Sequence, residues 1–129
     1  MIFDTNILIA LERELRKQTK GSVCIFLSGL PATRMCITPT IAGELCSGIS
    51  MSKRSVWENF CSAYEILPIT PETAWHYGCI YRRLSADGQL IGANDMRIAA
   101  TALTHEVPLL TANTNEFQRV PGLEVISLN

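Results

Sequence analysis

Short runs of apolar residues alternate along this chain with longer stretches whose apolar residues recur at helical spacing. The short runs lack the polar–apolar alternation of a sheet with one solvated face, which indicates strands covered on both sides. Strands of this kind, separated by helices, form βαβ units and a parallel sheet. The pattern therefore predicts an α/β fold, a three-layer α/β/α sandwich around a central, mainly parallel sheet.

The strands and helices can be placed approximately. Strands are predicted at residues 1–3, 34–37, 66–69, 109–111 and 125–127. Helices are predicted at 7–17, 23–27, 38–48, 55–64, 70–86 and 94–105, with a short turn or helix around 115–117. Two of these helices begin at a Thr-Pro pair, in which threonine caps the helix and proline takes the first helical position. Asn94 is predicted to cap the helix that ends near His105.

The helix predicted at 70–86 has an apolar stripe with a spacing of three to four residues. Its members are Ala74, Tyr77, Gly78, Tyr81 and Leu84. Such a stripe is typical of a face packed against the core, although a groove for a second subunit or another partner is the alternative. Trp57 and Trp75 are expected to pack in the core or an interface, with base stacking as the alternative.

Composition limits the classes of protein to be considered. A chain of 129 residues, 47% of them hydrophobic, is expected to form one domain over residues 1–129. No apolar run approaches the roughly 18 residues of a membrane-spanning helix, so a cytoplasmic location is expected. Five cysteines without a C-x-x-C pair are expected to be reduced and mostly buried. The net charge of −1 argues against a protein that coats duplex nucleic acid.

Acidic and amide side chains occur where the predicted strands end and the predicted helices begin. Asp4 follows the first strand, Glu44 lies early in the helix after the second, and Asp95 lies in the first turn of its helix. Asn113 and Glu116 follow the strand predicted at 109–111. Because these ends of parallel strands and helices share one edge of a sheet, we expect the side chains to converge there.

Converging carboxylates need a partner, because like charges raise one another's pKa. A hard divalent cation relieves this repulsion, and Mg²⁺ prefers oxygen ligands while keeping several waters. Such an ion can activate a water molecule for attack on a phosphodiester and neutralise the leaving oxygen. The convergence therefore predicts a site for Mg²⁺, or for Mn²⁺ as a substitute, that hydrolyses phosphodiesters.

Four stretches of this sequence resemble the motifs of VapC-type PIN domains, in the same order and over nearly the full length. They are Ile2 to Asn6, Thr38 to Gly48 with Gly43-Glu44-Leu45, Ile91 to Ala102, and Leu110 to Leu123. The resemblance implies that Asp4, Glu44 and Asp95 are the metal ligands. It places a fourth acidic or amide residue at Asn113 or Glu116. Many relatives carry aspartate at the position of Asn113, so Glu116 is the residue that would supply the missing charge here.

The resemblance also assigns expectations to the neighbours of the ligands. Thr5 and Asn6 would orient the carboxylate of Asp4 or a bound water. Many relatives have threonine or serine at the position of Ile41, so Thr38 or Thr40 would supply that hydroxyl here.

The function implied by the resemblance is that of an endoribonuclease toxin acting on cellular RNA by metal-activated water. The toxin would form a homodimer and bind a VapB-type antitoxin, and it would contact operator DNA only through that antitoxin. Arg97, close to the predicted site, is the basic residue expected to contact the RNA.

Two other functions fit part of the pattern. A PIN-fold binding module would have lost catalytic strength through the neutral Asn113. A receiver-like switch domain also gathers acids around Mg²⁺, but it needs a lysine after a later strand. No lysine follows Lys53, which argues against the switch domain.

Overall fold

The computed structural model describes residues 1–31 and 33–128. In this part the strands are Ile2–Phe3 (β1), Cys36–Ile37 (β2), Glu65–Ile66 (β3), Leu109–Leu110 (β4) and Val125–Ile126 (β5). The α-helices are Thr5–Arg16 (α1), Ser22–Ser28 (α2), Pro39–Cys46 (α3), Arg54–Cys61 (α4), Pro71–Ala86 (α5), Ala93–His105 (α6) and Thr114–Phe117 (α7), and a 3-10 turn spans Ile49–Met51. The predicted alternation of strands and helices is confirmed.

The five strands form one sheet in the order β3-β2-β1-β4-β5, and every neighbouring pair is parallel. The chain runs outward from β1 to β3, returns to β4 beside β1, and then continues to β5. The strand order therefore reverses between β1 and β4. In open parallel sheets, ligands bind at the carboxyl ends of the strands at such a switch point.

The register of β1 and β4 determines which residues meet at the switch point. Ile2 pairs with Leu109, and Phe3 pairs with Leu110. The next residue along each strand, Asp4 and Thr111, therefore leaves the sheet at the same edge, side by side.

Helices cover the sheet and enclose the core. From the rule that crossovers between parallel strands are right-handed, α1 to α4 are expected on one face of the sheet and α5 to α7 on the other. Helix α1 packs against α2 and α3, and α5 packs against α6. Phe3 and Phe117 are the largest fully buried side chains, and β1, β2 and β4 are buried along their whole length. The three-layer α/β/α sandwich is confirmed.

The threonine start signals of two helices are confirmed. Thr38 accepts a hydrogen bond from the backbone nitrogen of Ile41 at 3.1 Å and so caps α3. Thr70 and Thr73 cap α5 reciprocally, each side chain accepting from the other's backbone nitrogen.

Other boundaries differ from the sequence prediction. The cap residue of α6 is Gly92, not Asn94, and α6 begins at Ala93. The strand expected at 66–69 is Glu65–Ile66, because Pro68 cannot donate a backbone hydrogen bond to the sheet ladder.

The apolar stripe predicted for α5 is only partly the face that packs against the core. Thr73, Ile80 and Leu84 are the buried residues of this helix, whereas Ala74 and Tyr81 are exposed. Leu84 and Tyr77 of the stripe do pack against the core. Thr73 was missed because it is polar in sequence, but its hydroxyl takes part in the cap and its side chain is buried.

The tryptophans and cysteines divide between core and surface. Trp57 packs against the core and donates from Nε1 to the carbonyl of Ala42 at 2.9 Å, whereas Trp75 is 63% exposed. All five cysteines are free, as expected, but only Cys36 and Cys61 are buried. None of the helices in the described part of the chain is long and apolar enough to span a membrane.

Candidate active site

Asp4 is a buried carboxylate at the switch point, with 4% of its surface exposed. Its Oδ1 accepts from the backbone nitrogen of Thr5 at 2.8 Å, so the residue also caps α1. Its Oδ2 accepts from the hydroxyl of Thr111 at 2.6 Å and from Nδ2 of Asn6 at 3.3 Å. Burial raises the pKa of Asp4, and the charge of Glu44 adds to this, while these hydrogen bonds act in the opposite direction.

Glu44 projects from the second turn of α3 towards the same edge. Its Oε1 accepts from the hydroxyl of Thr5 at 2.7 Å, and its Oε2 accepts from Nδ2 of Asn94 at 3.5 Å. Thr5 therefore joins Asp4 and Glu44 directly, through its backbone to one and its side chain to the other. The hydroxyl beside Glu44 comes from Thr5, whereas Thr38 is occupied in capping α3.

Asp95 lies half-buried in the first turn of α6. Its Oδ2 accepts from Nδ2 of Asn113 at 3.4 Å. Burial, together with the negative charges of Asp4, Glu44 and Glu116, raises the pKa of Asp95 to about 6. Asn113 and Glu116 are thus both neighbours of Asp95, the first by contact and the second through its charge.

These contacts place all five candidate acidic and amide residues in one neighbourhood at the carboxyl edge of the sheet. Within residues 1–31 and 33–128, however, no three Asp, Glu, His or Cys side chains lie close enough together to hold a metal ion as they stand. Carboxylate oxygens are nevertheless the ligands that Mg²⁺ prefers, and this ion binds through one or two of them and fills its remaining positions with water and substrate phosphate. Burial is the main cause of the raised pKa of Asp95 and the neighbouring carboxylates add to it, so a bound cation would favour its charged form.

Arg97 lies one helical turn from Asn94 and borders the acidic neighbourhood. Its Nη1 donates to Oδ1 of Asn94 at 2.9 Å, and its guanidinium lies over the ring of Tyr77, 5.8 Å from the centroid. Glu44, Asn94 and Arg97 line one open groove. The structure therefore brings Arg97 to the predicted site.

Asn6 and Thr111, which donate hydrogen bonds to Asp4, are themselves held by backbone groups. Oδ1 of Asn6 accepts from the backbone nitrogen of Ala112 at 3.2 Å, and Oγ1 of Thr111 accepts from the backbone nitrogen of Asn113 at 2.9 Å. Thr111 is fully buried, and the sequence analysis assigned it no role. The sequence does place Thr111 directly after β4, as it places Asp4 directly after β1. This position indicates a contact with Asp4 only when β1 and β4 are known to pair.

Fold and site together define a parallel α/β protein with acidic side chains grouped around the switch point of its sheet. The family model described as PIN domain matches residues 1–123 of this chain. The chain therefore belongs to the PIN-domain family, and within it to the VapC proteins, as the following relatives show.

Two curated relatives and one solved structure illustrate this similarity. A protein named Ribonuclease VapC from Rickettsia bellii (strain RML369-C) is 35% identical, over 99% of this chain and 96% of its own length. The tRNA(fMet)-specific endonuclease VapC of Salmonella typhimurium (strain LT2) is 33% identical, over 74% of this chain and 76% of its own length. The structure of VapBC2 from Rickettsia felis, bound to a DNA fragment from its promoter, matches with a TM-score of 0.79 and 30% identity, covering 98% of each chain.

Proposed function

We propose that this chain is a Mg²⁺-dependent endoribonuclease and the toxin of a VapBC-type toxin–antitoxin pair, hydrolysing phosphodiester bonds in cellular RNA. The observation that carries the proposal is the grouping of acids at the switch point, where Thr5 bonds to both Asp4 and Glu44. Burial and the charges of Asp4, Glu44 and Glu116 raise the pKa of Asp95 to about 6. Four separate segments of the chain have brought anionic groups within electrostatic reach of one another. Membership of the PIN-domain family and the names of the VapC relatives support the same activity.

In this proposal Asp4, Glu44 and Asp95 hold the metal, with Asn113 or Glu116 completing the site. When bound, Mg²⁺ lowers the pKa of a water molecule and neutralises charge on the phosphodiester and the leaving oxygen. Mn²⁺ would substitute, because it accepts the same oxygen ligands.

The remaining polar residues position these carboxylates and the RNA. Thr5 fixes the spacing of Asp4 and Glu44 through its two hydrogen bonds. Asn6 holds Asp4 from the other side. Arg97, exposed at the border of the site, contacts the RNA.

RNA cleavage in the presence and absence of Mg²⁺ tests the activity. Asp95→Asn should lower the cleavage rate by at least about 100-fold, since it removes a proposed ligand. Asp87→Asn makes the same chemical change at an exposed ion pair with Arg83 on the far end of α5 and should cleave as the wild type does. Equal cleavage by all three proteins, or cleavage unaffected by EDTA, would refute the proposal.

The same assay separates the enzyme from a PIN-fold binding module. Asn113 is the observation that favours the module, because a neutral amide meets Asp95 where many relatives have a carboxylate. A module would bind RNA with no Mg²⁺-dependent cleavage by the wild type.

The partner is proposed to be a VapB-type antitoxin, because solved relatives are VapBC complexes, among them one bound to promoter DNA. The chain would form a homodimer, reach operator DNA only through the antitoxin, and act in the cytoplasm, where its RNA lies. Co-purification with the product of a short neighbouring reading frame, together with loss of RNA cleavage in that complex, is the expected result. Undiminished cleavage with the neighbour's product present would contradict it.

A further inference from the structure

A cavity of about 280 Å³ lies next to the acidic groove, and no step of the proposed hydrolysis uses it. Its lining comprises Ile69, Thr73, Ala74, Tyr77 and Arg97. Only one of these side chains, Arg97, carries a charge. A cavity of this composition accommodates a flat, largely apolar group and not a phosphate, which would need several donors.

The cavity and the acidic groove share Arg97. Two hydrogen bonds lead from one to the other: Asn94 donates to Glu44 at 3.5 Å, and Arg97 donates to Asn94 at 2.9 Å. A polynucleotide with one phosphate at the carboxylates therefore has its neighbouring nucleotide within reach of the cavity mouth.

Arg97 and Tyr77 present the surfaces that bases prefer. The guanidinium lies over the tyrosine ring, and Asn94 holds it there. Arg97 forms no ion pair with any acid in the described ranges, so its charge is available to a ligand. Aromatic and guanidinium faces bind unpaired bases by stacking, with little dependence on the identity of the base.

We propose that this cavity binds an unpaired base of the RNA, adjacent to the scissile phosphate and stacked on Tyr77 and Arg97. The inference rests on the proposed function and adds to it a subsite for one base beside the acidic groove. A base within a continuous duplex is stacked on its neighbours and cannot enter.

The test measures RNA binding separately from cleavage. The full chain carrying Asp95→Asn is titrated in Mg²⁺ against a short, unstructured, fluorescein-labelled RNA, and anisotropy gives the Kd. Adding Tyr77→Ala should weaken binding by about 5- to 150-fold, which corresponds to the ~1–3 kcal/mol of one stacked base. Tyr77→Phe keeps the ring and should bind within about twofold of the parent.

Two further measurements guard the result. Ala74→Leu fills the cavity from an exposed position and leaves Tyr77 in place, so it should weaken binding even if Tyr77→Ala folds poorly. A blunt-ended RNA duplex with no unpaired nucleotide should bind the parent and both cavity variants equally.

Each contrary outcome has a distinct meaning. If the wild type cleaves RNA but Tyr77→Ala and Ala74→Leu bind as tightly as the parent, the base site is wrong and the nuclease stands. If these variants change the oligomeric state and leave RNA affinity unchanged, the cavity belongs to a protein interface and the inference is overturned. If the variants weaken binding but the wild type never cleaves, the base site stands and the nuclease proposal fails.

Discussion

Replacing Asp95 by asparagine should make the metal-free protein more stable at neutral pH, although it removes a proposed ligand. The pKa of Asp95 is raised from 3.8 to about 6 by burial and by the charges of Asp4, Glu44 and Glu116. A carboxyl group whose pKa is higher in the folded than in the unfolded state favours folding fully below the unfolded value. That contribution is lost as pH rises through about 6. Asparagine carries no charge at any pH and avoids the loss.

The size of the effect follows from three contributions. A rise of about two pKa units corresponds to roughly 3 kcal/mol. Asp95 is only half-buried, so solvent screening reduces this to about 1.5 kcal/mol. Losing a negative charge from the first turn of α6 takes back about 0.5 kcal/mol. The net gain in the free energy of unfolding is about 1 kcal/mol, or roughly 3–5 °C in Tm for a chain of this length.

Urea denaturation in EDTA at pH 4 and pH 7.5 measures this gain. Asp95→Asn should exceed the wild type at pH 7.5 and match it at pH 4, while Asp87→Asn should match it at both. Adding Mg²⁺ should stabilise the wild type, by about 1.4 kcal/mol at ten times its Kd, and Asp95→Asn much less. A variant no more stable than the wild type at pH 7.5, or equally favoured at pH 4, would show that the carboxylates do not repel one another as described.

Three further results are expected. The apparent Kd for Mn²⁺, followed by electron paramagnetic resonance, should weaken about tenfold per pH unit below about 6, because Asp95 must lose its proton to bind; a flat profile down to pH 5 would contradict this. Thr111→Val should lower the free energy of unfolding by about 1.5–3 kcal/mol, since it removes the hydroxyl that donates to buried Asp4. Thr111→Ser keeps a hydroxyl and should retain most of that stability. Equal stability of the two variants would argue against the hydrogen bond. Phe117→Ala in the core should destabilise by about 3–5 kcal/mol, whereas Ile49→Ala, at a residue 94% exposed, should change stability by less than about 0.5 kcal/mol; similar melting curves for both would contradict the assigned core.

The sequence predicted the order of strands and helices because the local signals agree with the tertiary structure. Thr38 and Thr70 cap the helices that they were expected to cap, and the short apolar runs form a parallel sheet. The cap of α6 was misplaced because Asn94 is a good capping residue whose side chain is needed elsewhere. It bonds to Glu44 and Arg97 instead, and Gly92 takes the cap position.

The convergence of the acidic side chains was predictable from sequence. The hydrogen bonds that hold them in place were not. Asp4 and Asp95 follow local signals, the end of a strand and the start of a helix. The contact between Thr111 and Asp4 depends on β1 pairing with β4, across more than one hundred residues of chain. The cavity beside Arg97 depends in turn on which face of α5 is buried, and the apolar stripe in the sequence indicated that face only in part.

The position of a bound metal ion tests the central claim most directly. Crystals of the wild type and of Asp95→Asn, soaked in Mn²⁺, would be measured at the manganese absorption edge. The wild type should show an anomalous peak at the carboxyl edge of the sheet, within bonding distance of oxygens from Asp4 and Asp95, and the variant should show a weaker peak or none. Manganese bound elsewhere, or no manganese while the three carboxylates keep their positions, would contradict the account.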